Sequence, residues 1–122
     1  MNDKELEQLA LKNGQQLAFS IQSQPFGPDC EVFKICDKVF MLIGAYSGKL
    51  LVTIKCKPEK SLEYQELYPS ISAGYHMNKK HWISIASGHE ITADLLQDLI
   101  QDSYDLVVGK LPVKDRKRIQ NV

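Results

Sequence analysis

VFKICDKVFMLIGAYSGKLLVTIKC, residues Val32 to Cys56, is dense in β-branched and aromatic side chains and is cut twice by short polar turns. Cys36-Asp37-Lys38 separates VFKI from VFMLIGAY, and Ser47-Gly48 separates that run from KLLVTIKC, which are hairpin distances. The middle run is apolar on both alternating sets, Val39, Met41 and Ile43 against Phe40, Leu42 and Tyr46, as expected of a strand covered on both faces. In the third run Leu50, Val52, Ile54 and Cys56 alternate with Leu51, Thr53, Lys55 and Lys57, the period of two expected when one face meets water. The stretch predicts a three-stranded antiparallel meander.

Outward from the meander the period changes to helical. Upstream, Asn2 followed by Glu5 forms a capping pattern, and Leu6, Leu9, Ala10 and Leu17 keep helical spacing until Asn13-Gly14 weakens it. QSQPFGPDC then reads as a loop, because Pro25 and Pro28 lack backbone donors and Gly27 permits unusual dihedrals. Downstream, Pro58 suits the first turn of a helix that Pro69 ends, with Tyr64, Leu67 and Tyr68 as its inner face. Two short β-prone runs, ISAGY and WISIA, flank a connection. Thr92 then caps a long helix that turns Leu95, Leu96, Leu99, Ser103, Leu106 and Val107 inward and ends at Gly109. The expected order is α-β-β-β-α-β-β-α in residues 1–112, followed by a basic tail over 113–122. This is an α+β domain in two layers, a twisted antiparallel sheet with helices mainly on one face.

The 122 residues make one domain long enough to bury a core without disulfides or metals. An apolar fraction of 43% and a charged fraction of 25% exclude the disordered and fibrous classes. No apolar run reaches the roughly 18 residues of a membrane span, and MNDKELEQ lacks a signal-peptide core, so a cytoplasmic protein is expected. Cys30, Cys36 and Cys56 form no C-x-x-C pair, which favours reduced structural thiols over a disulfide framework or zinc knuckle.

Several chemistries lack their residues. His76 and His81 are five apart, off one helical face, and His89 lies beyond a strand, so no metal site is expected. Asp94, Asp98, Asp102 and Asp105 share a helical face, which is ordinary for a solvated helix; weak cation or iron binding is the alternative. Asp102 and Asp105 lie near the helix C-terminus, where the dipole disfavours negative charge, so helix stability does not account for them. There is no nucleophile elbow, P-loop or dinucleotide fingerprint, and neither an enzyme nor a cofactor is expected. A fold that sets Cys56 or Cys36 beside a histidine would reverse that expectation.

The formal charge is zero, with acids concentrated in Glu90–Gly109 and bases in Val32–Lys60 and Lys110–Arg118. A neutral total of this kind can hide a basic face. Lys55 and Lys57 share a strand face, Lys34, Lys38 and Lys49 cluster near hairpin ends, and GYHMNKKHW (Gly74 to Trp82) projects Lys79-Lys80 beside Asn78, His76 and His81. Cations on loop tips reach phosphates, while Asn and His can hydrogen-bond to sugar or base edges. Gly74-Tyr75 and His81-Trp82 have the marks of a structural clamp, leaving Asn78-Lys79-Lys80 as the exposed tip.

Three stretches together, PFGPDCEVFKI (Pro25 to Ile35), GYHMNKKHW and SYDLVVGKLP (Ser103 to Pro112), resemble the MmcQ/YjbR family of small bacterial proteins, in family order and over nearly the whole chain. The resemblance implies a compact fold of the frataxin-like, or CyaY-like, group and DNA binding through hairpins described as a double wing. Carried onto this chain, the wings are the hairpins around Asp37-Lys38 and Ser47-Gly48 and the connections near Asn78-Lys79-Lys80 and Ser87-Gly88. The expected partner is DNA, held by Lys38, Lys55, Lys57, His76, Asn78, Lys79, Lys80 and His81. A protein-interaction module docking through the sheet or through GYHMNKKHW is the alternative.

Overall fold

The computed structural model describes residues 1–75 and 77–121. The elements are α1 (Asp3–Gln16), β1 (Ile21–Ser23), β2 (Cys30–Ile35), β3 (Lys38–Tyr46), β4 (Lys49–Lys55), α2 (Pro58–Leu67), β5 (Ile71–Ala73), β6 (Trp82–Ile85), α3 (Ala93–Gly109) and α4 (Val113–Gln120). The strands form one antiparallel sheet in the order β1-β2-β3-β4-β6-β5. Helices α1 and α3 lie against β3 and β4 and against each other, so the α+β class and the meander are as the sequence predicts.

Both meander turns are two-residue loops with left-handed backbone at each position, Cys36 and Asp37 in one, Ser47 and Gly48 in the other. Primed turns of this kind match the right-handed twist of the flanking strands. The β2–β3 register contains a bulge, since Phe33 opposes Met41 while Lys34 opposes Val39, which leaves Phe40 as the extra residue. Its consequence is that two neighbours in sequence meet the same helical layer. Phe40 packs edge-on against Tyr104 of α3, with ring centroids 5.4 Å apart, while Met41 packs beside Phe33 at Gly14 of α1. A side chain at Gly14 would overlap both, with its Cβ 2.7 Å from Met41 Cε and from Phe33 Cε2. The glycine that weakened the helical pattern in the sequence therefore lets α1 approach the sheet.

The β3–β4 pairing ends at Met41 and Ile54, and beyond it Ser103 of α3 bridges the two strands. Its hydroxyl donates to the Phe40 carbonyl at 2.6 Å and accepts the Lys55 N–H at 2.8 Å, so one buried side chain replaces a rung of the ladder.

Four expectations change. The segment read as a loop, Gln22 to Cys30, opens on the last two residues of β1, an edge strand whose Gln22 and the following Gln24 both donate to the Glu31 carboxylate. The segment read as a tail is α4, which caps the ends of α1 and α3 and places Ile119 in the core. Leu67, expected inward on α2, is exposed, and Ser61 is buried instead. The water-facing side of β4 is partly covered, because the connection after β5 folds back over it. Tyr75 donates its N–H to Ser84 Oγ, which bonds Thr53 Oγ1 at 2.8 Å, and Thr53 is only 2% exposed.

Candidate functional site

Register decides which basic residues can act together. Lys55 opposes Trp82, and Cys56 donates its N–H to the His81 carbonyl, so the exit of β4 meets the 74–81 connection. Ser103 joins the same exit to the start of β3, two residues from Lys38. Arg118 Nη2 of α4 lies 4.0 Å from Cys36 Sγ in the turn before β3. Lys38, Lys57, Lys79 and Lys80, all exposed, are thereby gathered at one end of the sheet, with Lys114, Lys117 and Arg118 of α4 beside them. The Ser47-Gly48 turn and the Ser87-Gly88 segment follow the opposite strand ends and lie at the other end with Lys49. The four expected wings thus divide into two pairs at opposite ends of the sheet.

The individual roles sharpen in the same way. Asn78 is committed to the loop, since its Oδ1 accepts the Lys80 N–H at 3.0 Å and its carbonyl accepts the His81 N–H. That Asx-type turn presents Lys79 and Lys80 outward. Gly74 donates to the Trp82 carbonyl, and a Cβ on Gly74 would stand 2.5 Å from Trp82 Cβ, so the clamp requires glycine there. Lys55 is half-buried, with its ammonium 6.0 Å from the centre of the Trp82 ring. Burial and then repulsion from Lys110 lower its pKa. It is a less available phosphate ligand than Lys57, its expected companion. His76 lies outside the described residues.

Next to this basic end is a cavity of about 320 Å³ between β4, α2 and α3, with Ile54, Leu99 and Leu106 as its apolar part. Lys57 and Lys60 contribute from the start of α2, Tyr64 from one turn further on, and Asp102 and Asp105 from α3. Cys56 is also part of the lining, and its thiol is pushed up to about 11 by burial, then by Asp102 and Glu59. Burial and repulsion from Asp105 and Asp98 raise the Asp102 carboxyl, against partial relief from Lys57 and Lys60. Among the described residues no three His, Cys, Asp or Glu side chains form a group able to hold a metal ion. No local period or motif assembles this cavity, whose visible trace in the sequence is the pair of carboxylates near the C-terminus of α3.

The family model described as YjbR matches residues 15–106, which spans the sheet, the 74–81 connection and most of α3. The chain belongs to the YjbR family. Among family relatives, the uncharacterized protein YbdF of Escherichia coli O157:H7 is 47% identical over 120 residues, covering 98% of each chain. The uncharacterized protein YjbR of Escherichia coli K12 is 24% identical over 84 residues, covering 69% of this chain and 71% of its own. The fold is similar to that of the crystal structure of Deinococcus radiodurans protein DR2400, with domain DUF419, at a TM-score of 0.79 and 29% identity over 98% of this chain and 88% of that one. A Pseudomonas syringae protein is similar at a TM-score of 0.70 and 26% identity, over 87% of this chain and 98% of its own. Among the described residues of this YjbR-family chain, no helix is long and apolar enough to cross a membrane.

Proposed function

We propose that this protein is a non-enzymatic DNA-binding protein that lays the basic end of its sheet against the duplex backbone. The observation that carries the reading is the gathering of Lys38, Lys57, Lys79 and Lys80 with Lys114, Lys117 and Arg118 at one end of a chain whose net charge is zero. Segregated cations allow phosphate neutralisation that the total charge would discourage. Lys79 and Lys80 contact phosphate, Lys38 and Lys57 flank them, and Asn78 holds the loop in shape. The non-enzymatic part is supported by Cys56: it meets His81 through a backbone hydrogen bond, no histidine among the described residues lines the cavity beside it, and its thiol, pushed up to about 11 chiefly by burial, is a poor nucleophile at neutral pH. A cytoplasmic place accords with free cysteines at positions 30, 36 and 56 and with access to DNA.

Fluorescence anisotropy with a mixed-sequence duplex at two salt concentrations tests the reading. Binding should weaken steeply with salt, with a logarithmic slope of about −0.9 for each phosphate neutralised. Lys79→Ala/Lys80→Ala should weaken it and flatten that slope, whereas Lys49→Ala, at the opposite end, should leave it unchanged. Undetectable binding at low salt, or binding indifferent to the double substitution, overturns the proposal.

A further inference from the structure

The cavity between β4, α2 and α3 carries opposite charges on facing walls. Lys57 and Lys60 stand on one side and Asp102 and Asp105 on the other, above Ile54, Leu99 and Leu106. No ion pair or side-chain hydrogen bond joins the two walls among the described residues. Lys60 makes only an exposed contact of 3.5 Å with Glu63 on its own helix, and Asp105 accepts from Gln101 on its own helix. Among the described residues Lys57 and Asp102 make no ion pair or side-chain hydrogen bond, although the two lysines lower the Asp102 carboxyl through space. The first turn of α2 starts at the same rim, and its N-cap residue, Lys57, makes no side-chain capping bond. That wall therefore adds the positive end of a helix, partly offset by Glu59 in its first turn, to two ammonium groups. The opposite wall places two carboxylates in the last turns of α3, which have no basic residue to offset them.

We propose that this cavity binds a free amino acid, its carboxylate at Lys57 and Lys60, its ammonium at Asp102 and Asp105, and its apolar part over Ile54, Leu99 and Leu106. The geometry selects a zwitterion because each wall satisfies one charge of the ligand and leaves the other unsatisfied. A simple anion would approach Asp102, and a simple cation would approach Lys57. The volume of about 320 Å³ lies at the small end of ligand sites, the right scale for a single amino acid. Burial first, and then repulsion from Asp105 and Asp98, hold the Asp102 carboxyl above its usual range, and an ammonium placed here relieves the repulsive part. Lys57 is shared with the proposed duplex contact, whereas Lys60, Asp102 and Asp105 are not, so substitutions at those three test this site apart from DNA binding.

Calorimetric titration of the full chain with the standard L-amino acids, β-alanine and γ-aminobutyrate tests it. At least one should bind, and its N-acetyl and carboxamide derivatives, each lacking one charge, should bind about tenfold more weakly or worse. Asp102→Asn and Lys60→Met should each cause a similar loss while leaving duplex anisotropy unchanged. The bound amino acid should also slow alkylation of Cys56, read by peptide-resolved mass spectrometry. No heat from any of these compounds at about 10 mM, undiminished binding of the blocked derivatives, or binding that survives both substitutions overturns it.

Discussion

Ser103 shows how much a single hydroxyl can hold. It is fully buried, donates to the Phe40 carbonyl and accepts the Lys55 N–H, so Ser103→Ala strands one acceptor and one donor of the backbone at once. An unsatisfied buried polar group costs about 1–3 kcal/mol, and the adjacent strands can relax only in part, so a loss of about 2–3 kcal/mol is expected. Urea unfolding of Ser103→Ala and Ser103→Thr checks it: the threonine keeps the hydroxyl and should retain more stability than the alanine. Helical spacing placed Ser103 on the inner face of its helix. Its partners were not legible, because they lie 63 and 48 residues away and meet it only where the β3–β4 pairing ends.

Among the elements, α4 departs furthest from the sequence reading. Its eight residues VKDRKRIQ are mostly charged, and periodicity shows no apolar face until the ends of α1 and α3 supply a surface for Ile119. The helix is held by that burial and by Leu111 before it, since the Arg118–Asp115 contact is exposed and contributes little. Ile119→Ala should therefore cost about 2 kcal/mol in urea unfolding, whereas Asp115→Ala should change stability by less than about 0.5 kcal/mol. Loss of α4 order should also loosen Lys114, Lys117 and Arg118 and weaken duplex binding without any change of charge. The strand β1 escaped notice for a related reason. Its Ile21 is 63% exposed and its anchoring runs through Gln22 and the nearby Gln24 to Glu31, contacts that no hydrophobic period encodes.

Over the whole molecule, the titrating groups around the cavity predict an alkaline weakness. The Cys56 thiol ionises near its ordinary 9.0 in the unfolded chain and near 11 in the folded one. Its contribution to stability is complete below the lower value and is lost as pH rises through the higher, because the unfolded chain then releases its proton first. About 2–3 kcal/mol is expected to disappear over that window. Tyr64, Tyr46 and Tyr104, also raised chiefly by burial, act in the same direction. Urea unfolding at about pH 8 and about pH 11 should show the fall, and Cys56→Ala should reduce it. A slope unchanged by the substitution would place the titration elsewhere. The sequence by itself determined the meander, the long amphipathic α3 and the family, since each rests on local period, turn chemistry or a contiguous motif; that the clamp before Trp82 needs glycine at position 74 was decided by the approach of Trp82. The tertiary structure alone decided that Lys38, Lys57 and Lys79-Lys80 share one end with α4, that Ser47-Gly48 and Ser87-Gly88 lie at the other, and that Lys57 and Lys60 face Asp102 and Asp105 across a cavity. Strand register and the Phe40 bulge set these neighbours, and both are fixed by contacts between residues far apart in the chain.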